Sequence, residues 1–261
     1  MPNDPAVRRV RPPVTNIGSL CRHSSPAAFQ TLVVLPLLVA TLSAHASAQE
    51  NYEIQVYPST TAAPRTTLFE LHSNFTGSGS TLRAGRVLPT NHALHETLEI
   101  THGFSDIFEA GFYLFASENP GEGVQFVGTH IRPRIRAPES WGLPVGLSLS
   151  TEFGPTDAKF DANAWGMELR PIVDQQRGDL YWAFNPNLAW ALKGPDAGQG
   201  LLGVSVNPSP KLTWKVRPKY AATLDFFLAP EWELNIGFGV LVAGRGDENI
   251  LKVIFGRRLD F

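Results

Sequence analysis

Leu68-Phe69-Glu70-Leu71-His72-Ser73-Asn74-Phe75 splits into two sets of side chains. Phe69, Leu71 and Phe75 fall on one side of an extended chain, and Glu70, His72 and Asn74 fall on the other. Successive strand residues point to opposite faces, whereas a helical period would mix the two sets. The stretch reads as a strand with one apolar and one polar face.

The same split recurs along the chain. In 107–116, Phe108, Ala110, Phe112 and Leu114 oppose Glu109, Gly111 and Tyr113; in 127–136, Val127, Thr129, Ile131 and Ile135 oppose His130, Arg132, Arg134 and Arg136. In 143–153, Leu143, Val145, Leu147 and Leu149 oppose Gly146, Ser148, Ser150 and Glu152. Stretch 180–192 sets Leu180, Trp182, Phe184, Leu188, Trp190 and Leu192 against Tyr181, Ala183, Asn185, Asn187 and Ala189. It is longer than the roughly 5–6 residues of an ordinary globular strand. Further segments are 94–101, 165–172, 211–217, 220–228, 232–242 and 250–261, with a weaker one at 53–56. Turn-forming clusters such as Glu118-Asn119-Pro120-Gly121 and Gly194-Pro195-Asp196-Ala197-Gly198 separate them. Val216-Arg217-Pro218-Lys219 and Leu228-Ala229-Pro230-Glu231 read as tight turns one strand apart, so they belong at opposite rims. The strand count is twelve, with ten as the alternative.

Composition agrees with many short elements. The 261 residues include 23 Gly and 21 Pro, and 18% are charged. That is below the roughly 25% of an ordinary soluble domain and argues against a disordered or nucleic-acid-facing chain. Arg8, Arg9, Arg11 and Arg22 against Asp4 precede an apolar run, 32–40, and then Ala46-Ser47-Ala48. This order is that of a secretory signal peptide, 1–48, ahead of a single domain, 49–261. Pro36 interrupts the apolar run, which is far short of the roughly 18 residues of a spanning helix. Cys21, the only cysteine, lies in the removed segment, so the mature chain has no thiol or disulfide.

Such alternation suits a soluble sandwich, apolar inside, or a membrane barrel, apolar outside. Three features favour the barrel. Several segments reach the roughly 9–11 residues of a tilted membrane strand. Aromatics stand near segment ends (Tyr113, Phe115, Trp165, Trp182, Trp190, Tyr220, Trp232), as interfacial girdles require. The third is the closing Leu251-Lys252-Val253-Ile254-Phe255-Gly256-Arg257-Arg258-Leu259-Asp260-Phe261. A last strand ending in phenylalanine resembles the signal read by the bacterial barrel-assembly machinery. The fold class expected is all-β, an antiparallel up-and-down transmembrane β-barrel.

"HETLEITHGFSDIFEAGFYLF" (95–115), "PKLTWKVRPKY" (210–220) and "LKVIFGRRLDF" (251–261) resemble the bacterial outer-membrane β-barrel family named after the meta-pathway of phenol degradation. The resemblance implies the outer membrane of a Gram-negative-type bacterium and a passive channel or transporter for a small, often aromatic or apolar, solute. Outer-membrane lipid, the assembly machinery at Phe261 and the solute are then the partners.

The polar faces supply the lumen-lining candidates Glu70, His72, Glu99, Glu109, His130, Arg132, Arg134, Arg136, Glu152, Glu168, Arg170, Lys215 and Asp225. Arg132, Arg134 and Arg136 form a basic stripe facing an acidic arc of Glu70, Glu99 and Glu109. Two readings stay open: a salt-bridge network that plugs a narrow lumen, or a transverse field that orients solutes in a pore. His72, His92, His95, His102 and His130 match no compact ligand motif, so lumen hydrogen bonding or rim solvation is expected, with no metal and no cofactor. A membrane-embedded lipid hydrolase is the remaining class: adjacent His72 and Ser73 point to opposite faces and cannot form a dyad within that strand, which leaves only a serine from another strand, and no enzyme is expected. No phosphate-binding loop, zinc signature or nucleic-acid patch is present.

Overall fold

A computed structural model of the chain describes residues 52, 55–178, 180–209, 212–216, 219–229, 231–241, 247 and 249–261. They belong to one compact unit, Leu42–Phe261. Among them are twelve strands: β1 (Thr66–Ser78), β2 (Leu94–Ser105), β3 (Phe108–Asn119), β4 (Gly123–Arg136), β5 (Gly146–Pro155), β6 (Trp165–Arg177), β7 (Leu180–Lys193), β8 (Gly200–Ser209), β9 (Leu212–Val216), β10 (Lys219–Ala229), β11 (Trp232–Leu241) and β12 (Asn249–Asp260). Each pairs with its sequence neighbours, and β1 pairs antiparallel with β12, Thr66 opposite Asp260, so the sheet closes into an up-and-down barrel. Closure leaves no unpaired strand edge.

Exposure decides which face is which. Phe69, Leu71 and Phe75 are 36%, 46% and 39% exposed, whereas Glu70, His72 and Asn74 are 3%, 0% and 0% exposed. A soluble sandwich would show the reverse. This wall presents hydrocarbon outward and charge inward, the arrangement of a barrel solvated by lipid. Phe112, Ile131, Leu149, Phe153, Ile236 and Phe255 continue the outer apolar band.

The wall departs from the sequence expectation in five places. Gln55 and Val56 are not in a strand, and Glu53 and Ile54 lie outside the described residues. Strand β8 takes the twelfth place instead. Its Gly200, Gly203 and Pro208 dilute the alternation, and pairing with β7 and β9 holds it in the ladder. Strand β5 begins at Gly146 rather than Leu143: residues 137–145 form a loop with a 3-10 turn at Glu139–Trp141, and Pro144 has no N–H for a ladder. Register shifts between Phe115 and Ala116 against β4, and Val127 at that bulge is buried rather than facing lipid. Tyr113 and Phe115 are interior residues as well, 0% and 3% exposed, not part of an outer girdle.

Loops 79–93, 156–164 and 194–199 lie at what is termed here the upper end, and the turn 106–107, the loop 137–145, the start of β1 and the end of β12 lie at the lower end.

Candidate functional site

Strand alternation places ionisable side chains inside a closed wall, where each must be paired or hydrogen-bonded because desolvation is costly. The register brings partners together. Glu109 faces Arg134 across β3 and β4, and Arg134 Nη2 lies 2.7 Å from Glu109 Oε1. Arg132 Nη1 lies 3.6 Å from the same oxygen, and Arg132 Nη2 donates to Glu99 Oε1. Thr101 Oγ1 donates to that Glu99 oxygen at 2.7 Å, and His72 Nε2 stands 3.5 Å from Glu99 Oε2. Further round the wall His130 Nδ1 meets Glu152 Oε1 at 2.6 Å, and Arg170 pairs with Glu168.

Glu70, His72, Glu99, Glu109, His130, Arg132, Arg134, Glu152 and Arg170 are thus buried inside the barrel, with Glu168 half-buried. Arg136 is not among them: it pairs with exposed Glu139 at 2.7 Å on the lower rim, where strand β4 ends. The side chains of Lys215 and Asp225 lie outside the described residues, although their backbones belong to β9 and β10.

The lumen holds a further element. Among the described residues before β1, Tyr52 lies at its upper end and 55–65 run down through it. At the upper end Asn74 Nδ2 and Thr97 Oγ1 donate to the Tyr52 carbonyl at 3.1 and 2.9 Å. The Tyr52 ring packs edge-on to His95 and Phe115, and forms an apolar cap with Leu88, Tyr113, Val127 and Phe160. Loops 79–93 and 156–164 join over this cap, where Leu88 N donates to Lys159 O at 2.7 Å. Burial pushes the Tyr52 phenol above its ordinary pKa, which keeps it neutral.

Midway down, Tyr57 is the anchor. Its N–H donates to Asn185 Oδ1 at 2.7 Å, and Asn185 Nδ2 returns a bond to its carbonyl at 3.0 Å. Its hydroxyl lies 3.3 Å from that of Tyr113. The guanidinium carbons of Arg132, Arg134 and Arg170 stand 4.6, 5.5 and 4.9 Å from its ring centroid. Cations over an aromatic face are attracted by its quadrupole, most strongly where water is excluded.

Below it, Asp174 accepts from Ser59 N at 2.8 Å and from Ser59 Oγ at 2.6 Å. Arg134 donates to the carbonyls of Pro58 and Thr60 at 3.2 and 2.8 Å, and Ala62 N donates to Glu109 Oε2 at 2.5 Å. Arg65 N bonds Gly103 O at 2.8 Å, which ties the base of the segment to β2. A Cβ at Gly103 would overlap the carbonyls of Ala62 and Ala63, so only glycine lets the segment pass so close to the wall. The stripe and the arc therefore grip this plug as well as each other. Open space remains beside it, a cavity of about 420 Å³ bordered by Glu70, Glu99, Arg134, Asn235, Lys252 and Arg258. A second, of about 340 Å³, lies by Ser59, Arg136 and Asp174 at the lower rim.

The sequence carried a signal for the plug that strand-reading passed over. Ahead of β1, residues 57–64 show no alternation and end in Thr60-Thr61-Ala62-Ala63-Pro64, too long for a turn and too polar for a strand of this wall.

Ser117 and His95 come within 3.2 Å, but Ser117 Oγ donates to Asn119 Oδ1 at 2.9 Å. The hydroxyl stands between the imidazole and the amide, whereas a nucleophile needs the imidazole between itself and the orienting group.

No protein-family model matches the chain, and no curated protein matches it in sequence. Among solved structures, an outer membrane channel from Pseudomonas putida F1 is similar with a TM-score of 0.55 and 10% identity, covering 79% of this chain and 100% of that one. This chain has the fold of an outer-membrane β-barrel. Weaker overlaps are a KdgM porin solved with disordered oligogalacturonate (TM-score 0.45, 10% identity, 74% of this chain, 99% of that) and the Salmonella typhi outer membrane phospholipase dimer (TM-score 0.42, 9% identity, 82% and 97%). At such identities the likeness is one of fold, and the resemblance to the phenol meta-pathway family has no matching family model behind it.

Proposed function

We propose that residues 1–48 direct export and that the remainder is an outer-membrane channel or transporter for a small solute, opened when the segment around Tyr57 leaves the lumen. The observation that carries this is how the plug is held. It adds no strand to the ladder, and its described hydrogen bonds to the barrel between Tyr57 and Ala62 each run through a side chain: those of Asn185, Asp174, Arg134 and Glu109 on the wall, and that of Thr61, which donates to the Asp106 carbonyl at 3.3 Å. Such contacts come apart without breaking the barrel, whereas an extra strand would be lost only with the sheet.

The aromatic class of solute finds support in the Tyr57 site. A lumen that holds one phenol ring among three guanidiniums and a tyrosine hydroxyl has the groups to hold another. The similar Pseudomonas putida fold is itself an outer membrane channel, and the resemblance to the phenol meta-pathway family points the same way. On this reading the end with the C-terminus is periplasmic and the end with loop 79–93, the longest described connection, is external, since outer-membrane barrels carry their longer loops outside. Phe261 engages the assembly machinery, and the outer apolar band meets lipid.

The density of buried ion pairs favours a second reading, a structural barrel whose lumen stays plugged. Planar-bilayer recordings separate the two. A channel gives discrete conductance steps in wild type, larger once residues 52–63 are deleted; a structural barrel is silent in wild type under every solute offered. Location is tested alongside: outer-membrane recovery and different gel migration of boiled and unboiled protein are expected, and a soluble periplasmic chain with identical migration refutes it.

A further inference from the structure

We propose that Glu70, His72 and Glu99 form a divalent-cation site of the zinc class in the lumen wall. Glu70 and His72 lie two residues apart on the inner face of β1, and Glu99 on β2 is the direct cross-strand partner of Glu70. All three are buried, and one ligand atom from each lies within 4.8 Å of the other two. The site is a property of the wall and holds whether or not the barrel conducts.

Three features give the cluster the character of a site. The register sets two carboxylates directly opposite each other on the inner face. Arg132 meets Glu99 from one side, and a cation seated between Glu70 and Glu99 would be shared by both.

The second is the orientation of Glu99. Arg132 and Thr101 both donate to its Oε1, which fixes the carboxylate and turns Oε2 toward His72. Outer groups that aim a ligand in this way are a regular part of metal sites. The separation of Glu99 Oε2 from His72 Nε2 is 3.5 Å. That is long for a charge-assisted hydrogen bond, which closes to about 2.7–2.9 Å. It fits the edge of a tetrahedron around zinc, since bonds of about 2.0–2.2 Å place neighbouring ligand atoms about 3.3–3.6 Å apart.

The third is room. Across the β1–β12 ladder Glu70 faces Gly256, where a Cβ would lie 3.1 Å from Glu70 Cγ, so glycine leaves that carboxylate its space. Glu70 and Glu99 border the cavity of about 420 Å³, from which water can complete the coordination. The imidazole sets the class of ion. Calcium and magnesium take oxygen ligands, whereas one imidazole with two carboxylates suits zinc and its transition-metal neighbours.

Folded full-length barrel in detergent, stripped with a chelator, is titrated with zinc by calorimetry, and bound metal is counted after desalting. One zinc per barrel is expected, with affinity at least tenfold lower in His72→Ala and in Glu70→Gln and unchanged in His102→Ala. Folding of each variant is checked by its heat-dependent gel migration, and should His72→Ala fail to fold, Glu70→Gln decides. Cobalt(II) in place of zinc should give the visible absorption of a four-coordinate ion in wild type and lose it in the variant. Absence of saturable zinc binding by the folded wild type overturns the proposal. So does equal binding by wild type and the folded Glu70 or His72 variant.

Discussion

Replacing Tyr57 by alanine tests the plug most directly, because it removes a side chain and leaves both backbone bonds to Asn185 in place. Tyr57 is 3% exposed, meets the Tyr113 hydroxyl at 3.3 Å, and lies 4.6–5.5 Å from three guanidinium carbons. Truncating a buried aromatic side chain costs roughly 3–5 kcal/mol in a closed core. Here part of that is offset, since Arg132, Arg134 and Arg170 keep carboxylate partners in Glu99, Glu109 and Glu168. A net loss of about 3 kcal/mol shifts the seated-to-unseated ratio of the plug by about 10²-fold, at one decade per 1.4 kcal/mol. The strand ladder is untouched, so unboiled Tyr57→Ala should migrate as folded barrel and unfold at the wild-type temperature. Planar bilayers should record open events at least tenfold more frequent than in wild type. Wild-type conductance together with wild-type folding would refute the view that Tyr57 holds the segment in the lumen.

Gly103→Val should drive the carbonyls of Ala62 and Ala63 off the wall, which unseats the lower end of the plug and exposes residues 55–65 to added protease in detergent; protection equal to wild type counts against the tight passage at Gly103. Arg134→Gln removes an ion pair to Glu109 and two hydrogen bonds to plug carbonyls, so reversal potentials should move toward cation selectivity and conductance should rise. Phe112→Arg places a charge on the lipid face at a cost of roughly 2–4 kcal/mol near the bilayer midplane, and refolding yield in liposomes should fall; a yield equal to wild type means that this position does not meet hydrocarbon.

The alternation of strands is written between adjacent residues, which is why β1, β3 and β7 were legible from Leu71, Phe112 and Leu188 without coordinates. Where glycine and proline thin that signal, as in β8, the strand exists because β7 and β9 offer it hydrogen bonds, a circumstance remote in the chain. The bulge at Val127 behaves likewise: one extra residue against β3 turns an outward position inward, and nothing within 127–136 announces it. The basic stripe and acidic arc were readable as sets, since each lies on one face of its own strand. Their pairing was not, because register between strands decides that Glu109 meets Arg134 and Glu70 meets Glu99.

The plug is the extreme case. Tyr57 finds Asn185 across 128 positions of sequence, and Ser59 finds Asp174 across 115. Local periodicity is enforced by the geometry of successive Cα–Cβ bonds, so it survives in the linear text. Contacts over such separations exist only once the sheet has closed and a narrow, charged interior leaves one extended segment as the groups its side chains can grip.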